Sequence, residues 1–186
     1  MNKGLIALGA VVVIIIVVGG FFSLYNGLKE SEISVDASYG QVENQMQRRS
    51  DLIPNLVNTV KGYDVHEKAI IEEVINARAK LAGAQGVEQM DAANAELTSA
   101  LGRLFAIAEA YPDLKANTQY LELMRELSGS ENRIAVARRD YNEAVREYNV
   151  RISTFPGMFL AGFMGMTQKP QFKAKEGADA VPEVKF

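Results

Sequence analysis

The chain has 186 residues, with 20 Lys or Arg, 23 Asp or Glu, one His, a formal net charge of −3 and no cysteine. That balance lacks the basic excess of a nucleic-acid surface, and no basic stripe stands out along the chain. Without cysteine there are no disulfides, thiolate metal sites or thiol nucleophiles, and either side of a membrane stays open.

Residues Gly4 to Leu28 carry no charged side chain, and their centre, from Val11 to Val18, consists only of Val and Ile. At about 1.5 Å per residue this run is long enough to cross a hydrocarbon core of roughly 30 Å. A cleaved signal would have a shorter apolar region followed by a small-x-small pattern. Here Gly19-Gly20-Phe21-Phe22-Ser23-Leu24-Tyr25-Asn26 follows, and a lipoprotein signal lacks its cysteine. Residues 1–28 are therefore read as an uncleaved, single-pass transmembrane anchor. Basic residues slightly favour an internal N-terminus, Lys3 and the α-amino group against Lys29 and the more distant Arg48 and Arg49, which leaves the side of the domain open. Gly19, Ser23 and Gly27 recur every four residues. The stripe suits close approach of a second helix, or reflects the ordinary tolerance of membrane helices for glycine.

Beyond the anchor, about 158 residues suit one domain with a sizeable core, set at 29–157. Apolar positions follow a three-four spacing: Val35, Tyr39, Val42, Met46, then Ile53, Leu56 and Val60, with Arg49 in the gap. This predicts a helix from Lys29 to Lys61, closed by Gly62. Because the register carries across Pro54, a kinked continuous helix is favoured over a restart capped by Ser50. A second helix is expected over about Asp64 to Ala82, ending at Gly83 and Gly86, and a third over about Val87 to Ala110, broken by Tyr111-Pro112.

The fourth helix starts near Asn117. Its seam is Tyr120, Met124, Leu127, Glu131, Ile134, Arg138, Tyr141, Val145, Tyr148, Ile152 and Phe155, alternating steps of four and three. At 1.5 Å per residue it would be about 57 Å long, able to lie beside the first. The fold expected is all-α: an N-terminal transmembrane helix followed by an elongated antiparallel four-helix bundle with coiled-coil-like packing. Antiparallel passes bring the end near Phe155 back to where the anchor emerges. Residues 158–166, Met-Phe-Leu-Ala-Gly-Phe-Met-Gly-Met, are uncharged and too short to span. They pack on the bundle end or, through Phe159 and Phe163, meet lipid or a neighbouring subunit. Residues 167–186 turn polar and read as a flexible tail.

Charge interrupts the seam at Arg49, Glu131 and Arg138. Unpaired buried charges are costly, so an inter-helix polar network fixing register is expected, with a solvated gap or a polar ligand site as alternatives. His66, near Asp64 and Glu67, lacks the further ligands a metal site needs and reads as a surface residue. Glu72 and Glu73 are adjacent and point apart on a helix. No nucleophile elbow, phosphate loop or calcium loop occurs. No catalytic, cofactor-binding or metal-ligating residues are assigned.

The chain resembles the LemA family of bacterial membrane proteins. The resemblance rests on Tyr25-Asn26-Gly27-Leu28, on the stretch from Gln47 through Arg48-Arg49-Ser50-Asp51-Leu52-Ile53-Pro54-Asn55-Leu56-Val57, on Lys61-Gly62-Tyr63 with His66-Glu67, and on Tyr111-Pro112-Asp113-Leu114-Lys115-Ala116. In the last helix it includes Glu131, Ile134-Ala135, Ala137-Arg138, Tyr141-Asn142, Tyr148-Asn149 and Phe155-Pro156. Ser50 departs from a histidine often seen there. The resemblance implies a bacterial inner-membrane protein with an N-terminal membrane helix, an elongated helical domain and no known enzymatic activity. Related members occur among magnetosome membrane proteins. It also implies an external N-terminus and a cytoplasmic domain, opposite to the basic-residue count. The expected role is a membrane-anchored, self-associating helical scaffold without catalysis, whose partners are the lipid bilayer, further copies of itself and an unidentified protein. The alternative is a membrane-tethered binding or sensor module using the polar site around Arg49, Glu131 and Arg138.

Overall fold

The structure of the chain, a computed structural model, describes residues 3–63 and 67–173. These residues form six helices and no strand: α1 (Lys3–Lys61), α2 (Lys68–Gly83), α3 (Gly86–Ala108), α4 (Pro112–Lys115), α5 (Thr118–Ser153) and α6 (Gly157–Phe163). The fold is all-α, as the spacing predicts. The apolar anchor and the first bundle helix are one continuous element, α1, the one described helix long and apolar enough to cross a membrane. His66 lies outside the described residues.

Local chemistry explains the boundaries. Pro54 sits within α1 and has no N–H to offer the carbonyl four residues earlier. That carbonyl belongs to Ser50, and Arg78 Nε of α2 donates to it at 2.9 Å. The helix thus continues through the proline while a neighbouring helix occupies the acceptor the proline leaves free. The α2–α3 connection is very short because Gln85 is extended and Gly86 takes φ 75°, a left-handed conformation that glycine adopts without steric cost. Pro112 opens α4 at a first-turn position, where its missing N–H costs nothing. Asn117 caps α5: its Oδ1 accepts the Tyr120 N–H at 2.8 Å.

The described residues divide into two compact units. The first joins the chain up to Tyr39 with Asp140–Lys169. Here α1 buries Leu28, Ser31 and Val35, and α5 buries Tyr141, Val145, Tyr148 and Ile152. The helices run antiparallel: Arg151 Nη1 reaches the Gly27 carbonyl, while the Tyr39 and Tyr141 rings meet at 5.7 Å one end further along. The seam stops one position earlier than predicted. Phe155 is 78% exposed, because α5 ends at Ser153 and the chain turns there to start α6. Residues 158–166 supply most of α6, which buries Leu160 and Ala161 and leaves Met158, Phe159 and Phe163 outside. The turn requires Gly157: a Cβ there would lie 2.2 Å from the Arg151 carbonyl oxygen.

The second unit, Gly40–Arg139 with the chain from Pro170, holds the remaining helical core. Val42, Met46, Ile53, Leu56 and Val60 of α1 are buried with Val74 and Ala77 of α2, Leu97, Leu101 and Leu104 of α3, and Tyr120, Leu127 and Ile134 of α5. Within it α1 and α5 are again antiparallel, since Arg49 pairs with Glu131 while Tyr63 Oη accepts from Asn117 Nδ2 at 2.6 Å.

The expected flexible tail begins as a docked segment. Asn149 holds Lys169 through both backbone groups, its Nδ2 donating to the carbonyl and its Oδ1 accepting the N–H, each at 2.9 Å. Lys169 Nζ also pairs with Asp36 at 2.6 Å. In the other unit Phe172 is 4% exposed. Residues 174–186 lie outside the described set.

Candidate functional site

Arg49 lies at the seam position its spacing predicts, 3% exposed. Its Nη1 donates to Asn94 Oδ1 on α3 at 2.7 Å and to Glu131 Oε2 on α5. Thr98, one turn beyond Asn94 on α3, donates its hydroxyl to the Asn94 carbonyl at 2.9 Å, and the same hydroxyl lies 3.3 Å from Glu131 Oε2. Three helices are therefore tied through one guanidinium. Burial pushes the Arg49 guanidinium below its ordinary value, with the Glu131 charge opposing. Among the described residues its buried Nε has no hydrogen-bond partner, so the desolvation is only partly compensated. Beside the cluster an open cleft of ≈ 420 Å³ is lined by Arg49, Thr98 and Glu131 together with Phe105, Leu127 and Asn132.

Arg138 takes a different carboxylate. Its Nη2 pairs with Asp91 on α3 at 2.9 Å and donates to the Lys173 carbonyl at 2.9 Å, and its guanidinium lies 4.8 Å from the centre of the Phe172 ring. The three charged positions expected as one network thus occupy two neighbouring clusters. Asn94, Thr98, Asp91 and Phe172 complete them, and the first three carried a signal. Asp91, Asn94 and Thr98 are polar at three-four spacing on an otherwise apolar helix face. Phe172 had none, being one aromatic in a polar stretch.

The small-residue stripe divides as well. Gly19 has open space where a Cβ would stand, while Gly27 lies under Arg151 Nη1, which a Cβ would approach at 3.3 Å. Ser23 and Gly27 line a cleft of ≈ 420 Å³ with Leu24, Thr154, Phe155 and Pro156. The lower part of the stripe therefore faces the chain's own α5 end. Phe159 is 69% and Phe163 90% exposed. Among the described residues no group of three or more His, Cys, Asp or Glu is arranged to hold a metal ion.

These features define a class: an all-α protein carrying a helix of membrane-crossing length, with buried and half-buried charges committed to helix–helix pairing. The sequence model of the LemA family matches residues 38–186, and the chain belongs to that family. Magnetosome protein MamQ 2 of Paramagnetospirillum magneticum is 26% identical over 181 residues, covering 83% of this chain. Magnetosome protein MamQ of Magnetospirillum gryphiswaldense is 27% identical over the same length and share. The chain spans 66% of the length of each of these relatives. Protein LemA of Metamycoplasma hominis is 25% identical over 168 residues, 87% of this chain and 76% of that protein.

Proposed function

We propose that this chain is a non-catalytic scaffold of the bacterial inner membrane, anchored by one pass of α1, that self-associates and presents its helical domain to a protein partner. The observation that carries the reading is the state of the anchor. Its most apolar 18-residue stretch lies outside the core, and around Gly19 and Gly20 there is open space for a second helix. LemA membership and kinship with proteins named for the magnetosome support an organising role. So does the commitment of Arg49, Glu131, Arg138 and Asp91 to pairing between helices.

Mass measurement of the full chain in mild detergent tests self-association, and the absence of native cysteine makes Gly19→Cys, on the open part of the stripe, a clean cross-linking site. A defined oligomer with a cross-linked dimer is expected. A monomer that does not cross-link in the membrane overturns the reading. The second reading, a ligand-binding module, is favoured by the cleft beside Arg49 with its unpartnered Nε. A small molecule co-purifying with the monomer, and lost in Glu131→Leu, would move the assignment to it.

A further inference from the structure

We propose that α6 is an interfacial element: a short amphipathic helix whose outer face, Met158, Phe159 and Phe163, lies in the lipid headgroup and upper acyl layer of the membrane that α1 crosses. The inference deepens the scaffold reading and rests on its anchoring part. It names the bilayer surface itself as the occupant of the apolar face.

Depth is the first argument. The uncharged run of α1 ends at Leu28, with Lys29 next. Counted from Gly4 at about 1.5 Å per residue, a hydrocarbon core of roughly 30 Å ends in the turns just before Leu28. The same turns are where α6 docks. A Cβ on Gly157 would meet Leu28 Cδ2 at 3.7 Å, Arg151 reaches the Gly27 carbonyl, and Phe155 and Pro156 share a cleft with Ser23 and Leu24. A helix seated against the emerging end of a membrane span lies in the headgroup layer.

Composition is the second argument. From Ile152 to Gln168 the chain carries no charged side chain, and the first charges on either side are Arg151 and Lys169. Arg151 pairs with Glu147, Lys169 with Asp36 and the nearby Lys29 with Glu32, so an ion-paired margin encloses an uncharged end. Third, the outer face of α6 is large and stands uncovered among the described residues. Phe163 is 90% exposed, Phe159 is 69% exposed, and Phe159 meets the equally outward Phe155 edge-on at 6.2 Å. An exposed phenylalanine cluster is unfavourable in water and favourable in the interfacial layer.

The test uses the full-length chain in vesicles of phosphatidylcholine with a quarter phosphatidylglycerol. An environment-sensitive fluorophore is placed at Phe163→Cys, with Arg146→Cys on the solvent face of α5 as the reference. Flotation reports anchoring, and lipids brominated at graded acyl depths report the position of the label. Blue-shifted emission at 163, quenched several-fold more than at 146 and most strongly by shallow bromines, is expected. A chain that floats while the label at 163 emits as in water overturns the inference and leaves anchoring intact. A blue-shifted label that no brominated lipid quenches overturns it in favour of a second copy of the chain. A chain that does not float overturns anchoring and, with it, the inference. Circular dichroism confirms that each variant keeps its helices, and a label at Met158→Cys provides a second position that must give the same result.

Discussion

The two units use the same two helices in opposite ways. In the unit built from α1 up to Tyr39 and α5 from Asp140, the buried seam is apolar or aromatic apart from Ser31. Ion pairs there, Lys29–Glu32, Arg146–Glu143 and Arg151–Glu147, lie within single helices, and Lys169–Asp36 joins the docked C-terminal segment to α1. In the other unit pairs also bridge helices, Arg48–Glu126 and Arg49–Glu131 from α1 to α5, Lys80–Glu96 and Arg103–Glu73 between α2 and α3, and Arg138–Asp91 between α5 and α3, beside Arg133–Glu126 within α5 and Lys115–Glu109 across the α3–α4 connection. An apolar seam holds two helices together but only weakly specifies their partners and register. Buried charges are costly when misplaced, so they reject wrong registers more than they add stability. The unit with more helices to order is the one that carries charge in its core.

Breaking that contrast at its strongest point should give the largest effect. Glu131→Leu leaves the Arg49 guanidinium buried with Asn94 as its remaining cross-helix acceptor. Loss of one partner of a buried pair typically costs about 3–5 kcal/mol, read as a fall in thermal midpoint in detergent. The double variant Arg49→Met with Glu131→Leu removes both charges and should recover most of the loss. A single variant within about 1 kcal/mol of the parent would mean the pair orders nothing. In the apolar unit the sensitive point is steric. Gly157→Ala drives a Cβ against the Arg151 carbonyl and should cost toward the upper end of the roughly 1–3 kcal/mol typical of overpacking. A neutral Gly157→Ala would show that the α5–α6 turn relaxes freely.

Much of this was legible beforehand, for identifiable reasons. The α1 and α5 seams read correctly because a three-four apolar period survives one interruption at a time, and Arg49 sits where that period leaves a gap. The pairing of Arg138 was not legible. Glu131 and Arg138 are two turns apart on one helix, and which carboxylate each cation takes is set by α3, whose Asp91 and Asn94 come from a distant part of the chain. Phe155 was misplaced because periodicity carries no information about where a helix stops. The docking of residues 167–173 was hidden because backbone hydrogen bonds to Asn149 leave no mark in composition.

Arg78 offers a smaller and sharper probe of the polar unit. Arg78→Leu removes the donor to the Ser50 carbonyl, and a hydrogen bond from a charged group contributes about 1.5–3 kcal/mol, less where it is partly solvated. In a Pro54→Ala background the backbone N–H restored at that position can take over the carbonyl, so the same Arg78→Leu change should cost clearly less. Equal costs in both backgrounds, measured as a double-mutant cycle, would show that Arg78 acts elsewhere.

The smallest effect belongs to the within-helix pairs of the apolar unit, where pH supplies the probe. The hydrogen bond and charge of Arg146 hold the exposed Glu143 carboxyl below its ordinary value of 4.5. A carboxylate depressed in the folded state contributes stability above its unfolded pKa, and that contribution fades as pH falls through the folded value. A site-resolved titration of Glu143 should therefore show a midpoint below 4.5, and Arg146→Gln should return it upward. The thermal midpoint should hardly move across the same range, since an exposed pair one turn apart contributes little. A large loss of stability there would mean that within-helix charge orders this unit too, and the contrast with the cross-bridged helices would collapse.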